Sequence, residues 1–333
     1  MPALPKPPSK IPDLVWAAYV DRNEDWDGLG FSPSMLGEEC DRALWYWVRW
    51  APAKEAFLGR MLRLFQTGHR EEERIINDLR MAGLEVHDVD PDTGDQFKAR
   101  ALAGHIRGKL DGICRGVPEA PDKWHVLECK SHNLKSFKAL RAAGPGGLRK
   151  AKFEHWVQCQ IYMHIRGIER ALYAAVCKDN DDLWFDRVEY DAAWCAKTLA
   201  RLENILRSPT APLRISNDPA FFGCRFCRAK PLCHGQSFAR LNCRTCLHST
   251  PDFSGDAAWT CARWVKPLTI EEQKEACPAH LYLPDLVPGE QLDADEEAET
   301  VTYRLADGRM WVDGRDLAAA PEVNPEAEEA ADG

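Results

Sequence analysis

Two neighbouring runs constrain this chain more than anything else in it. The first reads Gly104-His105-Ile106-Arg107-Gly108-Lys109-Leu110-Asp111-Gly112, and the second Trp124-His125-Val126-Leu127-Glu128-Cys129-Lys130. Both are strand-like and are separated by turn residues, Gly116-Val117-Pro118 and Ala120-Pro121-Asp122. Side chains alternate faces along a strand, so Glu128 and Lys130 point the same way. Adjacent strands then bring Asp111, Glu128 and Lys130 around one point. Val126 and Leu127 mark the second run as buried, where charges are costly unless they are paired or bind metal. Two carboxylates suit a hard divalent ion such as Mg²⁺, and a nearby ammonium can polarise a water. That equipment suits hydrolysis of a phosphodiester.

The surrounding pattern predicts an α/β fold. Ser32-Pro33-Ser34 starts a helix that runs to Val48, and a long helix is expected over 54–80, closed by Gly83. Strands are expected over 84–89, 96–115 and 123–131, with a turn over 90–95. A basic stretch over 134–152 contains the break Gly144-Pro145-Gly146-Gly147, and a helix follows to Arg166. Strands over 171–178 and 183–190 flank Asp179-Asn180-Asp181-Asp182, and a helix over 191–206 ends the core. Helix, three strands, helix, two strands and helix suit a mixed sheet with helices on its faces.

Composition bounds the function. The chain has 333 residues and a formal net charge of −9. Residues 285–333 carry −12 of that, so the rest is +3, a mildly basic body with an acidic, solvated tail. No apolar run is long enough to cross a bilayer. The Pro- and Lys-rich N-terminus lacks the apolar core of a secretory signal, which predicts a flexible leader over 1–31 and a cytoplasmic protein. Thirteen cysteines without a secretion signal argue against a disulfide framework, and seven of them fall between Cys224 and Cys277, which points to metal binding.

The strand pair resembles the PD-(D/E)xK nuclease superfamily, in particular its RecB-like branch. Gly108-Lys109-Leu110-Asp111-Gly112 looks like that family's metal-binding Asp motif, and Glu128-Cys129-Lys130 its E-x-K motif. Gly68-His69-Arg70-Glu71-Glu72 resembles its helical acidic motif, and Gln158-Cys159-Gln160-Ile161-Tyr162 its Q-x-x-x-Y motif. The resemblance covers about residues 32–235 and implies a restriction-endonuclease-like mixed sheet flanked by helices. It implies that Asp111 and Glu128 bind Mg²⁺ or Mn²⁺ with the Cys129 carbonyl, and that Lys130 positions the attacking water. Glu72 completes the shell or orients a water, with Glu71 and Glu73 as alternatives, and His69 is a further ligand in Mn²⁺-using relatives. Gln158 and Tyr162, one helical turn apart, are expected to touch DNA. Lys135, Lys138, Arg149, Lys150 and Lys152 form a candidate phosphate-tracking patch.

Cys224, Cys227 and Cys233 are three closely spaced thiols that want a fourth, and Cys40 is the candidate. Four thiolates suit either an iron–sulfur cluster or zinc. The segment 32–42 is similar to the N-terminal Cys motif of iron–sulfur RecB-like nucleases, a group that includes CRISPR adaptation nucleases and phage-encoded relatives. That similarity implies a four-iron four-sulfur cluster stapling the ends of the nuclease domain. Cys243, Cys246, Cys261 and Cys277 form a second candidate site, for zinc, with His248 and His280 as spares. The remaining cysteines, at positions 114, 129, 159, 177 and 195, are expected in the core.

The expected segments are a leader (1–31), a nuclease domain (32–235), a Cys-rich zinc module (236–284) and a short hairpin with an acidic tail (285–333). The leading expectation is a metal-dependent DNA nuclease, an exonuclease on single strands or DNA ends, working beside replication or recombination proteins of a bacterium or phage. A catalytically silent DNA-binding scaffold and a redox-sensitive iron–sulfur regulator are the alternatives.

Overall fold

The structure, a computed structural model, describes residues 8–23, 28–54 and 56–314. In chain order the first elements are α1 (Ile11–Asp21), α2 (Asp41–Val48), α3 (Gly59–Met81), β1 (Glu85–His87), β2 (Lys98–Ala101), β3 (Ile106–Lys109), β4 (Gly112–Arg115) and β5 (His125–His132). Then come α4 (Leu134–Ala143), α5 (Leu148–Ala151), α6 (Phe153–Arg166), β6 (Arg170–Cys177), β7 (Leu183–Glu189) and α7 (Ala192–Arg207). Last are α8 (Phe222–Arg225), α9 (Lys230–Cys233), β8 (Ser249–Pro251), β9 (Trp259–Cys261), β10 (Lys266–Leu268), α10 (Ile270–Lys274), β11 (Gly289–Asp295), β12 (Thr300–Leu305) and β13 (Met310–Asp313). None of the described helices is long and apolar enough to cross a membrane.

Contacts divide the chain into two compact units. The first draws on Met1–Asp27, Lys54–Phe97 and Lys109–Tyr190, and the second on Gly28–Ala53, Lys98–Gly108 and Asp191–Gly333. This division cuts across the segments expected from sequence, because 32–53 and 191–235 group with the Cys-rich residues and not with the sheet.

The first unit is the expected mixed sheet flanked by helices. Its order is β1-β4-β5-β6-β7, with β5 and β6 parallel and every other pair antiparallel. Helix α3 buries Ile75, Ile76 and Leu79 against Leu127, Cys129, Leu172, Ala174 and Val176 on one face. By alternation Glu128, Lys130, His132 and Tyr173 point to the other face. Helix α6 is buried there over Trp156–Met163, and its His155 meets Tyr173. The cysteines at 114, 129, 159, 177 and 195 are all buried, as expected.

Several boundaries differ from the sequence reading. Helix α3 starts at Gly59, not Lys54, and runs unbroken through Gly68. The single strand expected over 96–115 is three pieces, and β2 pairs with β3 in a separate two-stranded sheet. Ala103 has a left-handed backbone (φ 52°), which breaks the run that alternation alone would continue. The leader holds a helix: α1 lies against α3, where Tyr19 donates to Gln66 at 2.5 Å. Gly59 permits that approach, since a Cβ there would stand 2.1 Å from the Trp16 carbonyl oxygen.

The second unit is centred on stacked arginine and tryptophan side chains. Arg244 is fully buried, with its guanidinium 3.6 Å from the Trp50 ring centre and 5.0 Å from that of Trp259. It donates to the Val48 and Leu29 carbonyls and to Gln273 Oε1. Arg49 lies over Trp45 and donates to the Arg244 carbonyl, and burial lowers its pKa to about 10. Cation–π contacts and hydrogen bonds to backbone carbonyls make these buried charges tolerable. The hairpin expected near the C-terminus is a three-stranded antiparallel sheet, β11-β12-β13. Strand β11 is exposed along its whole length and strongly acidic, so neither alternation nor apolar content announced it. The tail beyond 314 lies outside the described residues.

Candidate metal and nucleic-acid site

The residues singled out in the first unit come together. Asp111 is not on a strand, as expected, but on the bend between β3 and β4. Gly112 follows it because a Cβ there would sit 2.7 Å from the His87 carbonyl oxygen of the neighbouring strand. Asp111 Oδ2 accepts the Cys129 backbone N–H at 2.7 Å, which ties the bend to the middle of β5. Glu128 is fully buried, and its Oε1 accepts from Lys130 Nζ. Its Oε2 is buried with no hydrogen-bond donor.

Charges act on each other across this cluster. Burial, then the charge of Asp111, raises the Glu72 pKa to about 7 against the opposing pull of Lys130. Burial also raises Asp111 and Glu128, with Lys130 opposing both. Burial works against the Lys130 ammonium, but Glu128 and Asp111 more than offset it, and its pKa ends above the ordinary value. Of the three adjacent glutamates, Glu72 is therefore the one in the cluster. Glu71 faces Arg74 at 3.6 Å, and Glu73 is exposed. His69 is exposed on α3, and its charge is felt at Asp111.

This donor set fits a divalent cation. A buried oxygen without a donor is costly, and a cation beside Glu128 Oε2, Asp111 and Glu72 would satisfy it and relieve three crowded carboxylates. Among the described residues, no three His, Cys, Asp or Glu side chains stand in ligand geometry. Asp111 Oδ2 is spent on the Cys129 N–H and Glu128 Oε1 on Lys130.

Gln158 and Tyr162 are placed differently from expectation. They are 9% and 3% exposed, and the Tyr162 hydroxyl donates to the Lys109 carbonyl at 2.7 Å, two residues before Asp111. Gln158 Nε2 lies 3.4 Å from that hydroxyl. Both side chains are buried, and the pair braces the segment that carries Asp111. Lys135 and Lys138 are exposed on α4, and Arg149 and Lys150 on α5, while Lys152 is half-buried. Arg149 lies 4.4 Å from the Trp156 ring centre.

Sequence reasoning missed a cluster beside Lys130. His132 Nε2 and His155 Nδ1 lie 2.8 and 2.7 Å from the Tyr173 hydroxyl, which can donate to one ring and accept from the other. His132 Nδ1 lies 2.9 Å from Ser136 Oγ. The two-residue spacing of Glu128, Lys130 and His132 could have revealed the first member. Tyr173 needed the strand register, in which it pairs with Glu128.

The two cysteine sets are also gathered, each within the second unit. Cys40, Cys224, Cys227 and Cys233 line one pocket of about 20 Å³ with Tyr46, Lys230 and His234. Burial raises the Cys224 and Cys227 thiols, and the charges of Cys40 and Cys233 add to it. Four thiols fit zinc and an iron–sulfur cluster alike. Cys243, Cys246, Cys261 and Cys277 line a second cavity of about 170 Å³ with His248 and His280. Burial and the other three thiols raise Cys243 to about 12. Arg263 and Lys266 line the same cavity.

Burial and Lys130 depress the His155 pKa to about 3, against an ordinary value of 6.5. As pH falls below the ordinary value the unfolded chain takes up this proton first, so the stability His155 contributes above it is lost toward acid. The variant His155→Gln is therefore expected to lose about 2 kcal/mol less than wild type between about pH 7 and about pH 5. Urea unfolding at each pH measures this, and parallel losses would refute it.

No family model matches the chain. No curated protein matches it either. Among solved structures, an alkaline exonuclease (LHK-Exo) from Laribacter hongkongensis is 17% identical, covering 58% of this chain and 90% of that one, at a TM-score of 0.36. The structure of SSO0001 is 14% identical, covering 67% and 96%, at 0.35. A phage-related exonuclease from Haemophilus somnus 129PT is 16% identical, covering 42% and 68%, at 0.31. Likenesses of this size carry no functional argument for this chain.

Proposed function

We propose that this chain is a divalent-metal-dependent deoxyribonuclease, acting as an exonuclease on single strands or DNA ends in bacterial or phage replication, recombination or repair. One observation carries the reading: Asp111, Glu128, Lys130 and Glu72 act on one another at one place, with a buried Glu128 oxygen that has no donor. Asp111 and Glu128 would hold Mg²⁺ or Mn²⁺, with Glu72, His69 and the Cys129 carbonyl as further ligands. When bound, such an ion polarises a phosphate oxygen and makes water more acidic. Lys130 stays protonated and offsets charge developing on the phosphate. Tyr162, through the Lys109 carbonyl, keeps Asp111 in place. Lys135, Lys138, Arg149, Lys150 and Lys152 supply positive charge along the DNA backbone.

The test is Mn²⁺-dependent degradation of linear DNA by wild type and Lys130→Ala. The expected loss is about a hundredfold or more, with the variant still folded at the assay temperature. Equal rates would remove the assignment from this site.

We further propose that Cys40, Cys224, Cys227 and Cys233 hold a four-iron four-sulfur cluster as a structural staple, and that Cys243, Cys246, Cys261 and Cys277 hold zinc. Anaerobically purified protein is expected to contain iron, sulfide and zinc. Iron should be lost in Cys227→Ser and zinc in Cys246→Ser. Zinc alone at both sites would overturn the cluster.

A further inference from the structure

The loop that carries the first cysteine set displays aromatic rings to solvent. Phe222 is 83% exposed, Phe226 78% and Phe221 41%. Three exposed phenyl rings within six residues forgo burial that a core would reward, so the arrangement asks for a partner. The rings are not on a loose segment. The Cys224 and Arg225 N–H groups bond the Phe221 carbonyl, Cys227 N–H bonds the Cys224 carbonyl, and Lys230 N–H bonds the Cys227 carbonyl. Cys224 and Ala229 are buried beneath them.

Basic side chains interleave with the rings. Between Arg214 and Lys230 stand four cations, Arg214, Arg225, Arg228 and Lys230, and one acid, Asp218. The three arginines are exposed, and the Arg225 guanidinium lies 5.3 Å from the Phe226 ring centre. In a chain of net charge −9 this is a local excess of positive charge. A purely apolar partner would make no use of that positive charge. A polyanion with exposed flat faces answers both features.

We infer that the Phe221–Lys230 knuckle is a binding platform for single-stranded nucleic acid, with bases stacked on Phe222 and Phe226 and phosphates held by Arg225 and its basic neighbours. Stacking on phenyl rings tolerates any base, whereas a duplex keeps its base faces covered. The platform therefore favours open strands over duplex without reading sequence. It stands on exposure and charge, apart from the catalytic proposal, because binding is measured without hydrolysis.

The test compares full-length wild type with Phe222→Ala/Phe226→Ala by fluorescence anisotropy, without added divalent metal. The probes are a labelled oligothymidine and a blunt duplex of equal length. The double variant is expected to bind the single strand about tenfold or more weakly, with duplex affinity and salt dependence unchanged. Phe222→Trp/Phe226→Trp is expected to keep affinity and to show tryptophan quenching on saturation. Wild-type affinity in the alanine variant, or equal loss for both probes, overturns the platform. Reduced self-association with unchanged oligonucleotide binding also overturns it, by assigning the rings to a protein contact. If the alanine variant melts early, the tryptophan variant decides, and absence of quenching counts against the platform.

Discussion

A carboxylate closed off from solvent governs the first unit. Glu128 is fully buried between its sheet and the covering helix, bonded to Lys130 through one oxygen and to nothing through the other. In a hydrophobic interior such a group is costly to ionise, and two more carboxylates nearby make it costlier. The surrounding structure keeps it there. The Cys129 N–H fixes Asp111, Tyr162 fixes the Lys109 carbonyl two residues before it, and α3 brings Glu72 in through the same helical face that buries Ile75, Ile76 and Leu79. Protonation relieves this crowding, and so would the proposed cation.

The second unit solves a different problem. Strands β8, β9 and β10 have three residues each, and its apolar residues are spread over distant parts of the chain. Arg49 and Arg244, stacked among Trp45, Trp50 and Trp259, tie residues near the start of the chain to the Cys-rich segment. Arg244 lies between Cys243 and Cys246, so the stack and the second thiol cavity share a backbone segment. Metal staples are a common way for small modules to gain the stability that a modest core lacks.

Much of the first unit was legible in the sequence. Strands β6 and β7 and helix α6 fall within about two residues of where periodicity placed them, as does α7 in the second unit, because each is long and clearly patterned. The segment holding Asp111 was not legible, since left-handed backbone at Ala103 divides a run whose residue types all suit a strand. Helix α1 was hidden by the Pro-rich residues before it, and β11 by its acidic composition. At the site, the spacing of Glu128 and Lys130 was readable, and His132 lay in the same rhythm. The choice of Glu72 over its neighbours, the internal role of Tyr162, and the meeting of His155 with Tyr173 depend on tertiary register that a single sequence does not carry. Spacing grouped Cys224, Cys227 and Cys233 and the second set, resemblance added Cys40, and the same sets share pockets in the fold.

The most direct measurement of the central claim is calorimetric titration of Mn²⁺ into the purified chain, beside Glu128→Gln and Asp111→Asn. The account predicts a binding event in wild type that is lost in both variants, with folding intact. Undiminished Mn²⁺ binding in the two variants would contradict it.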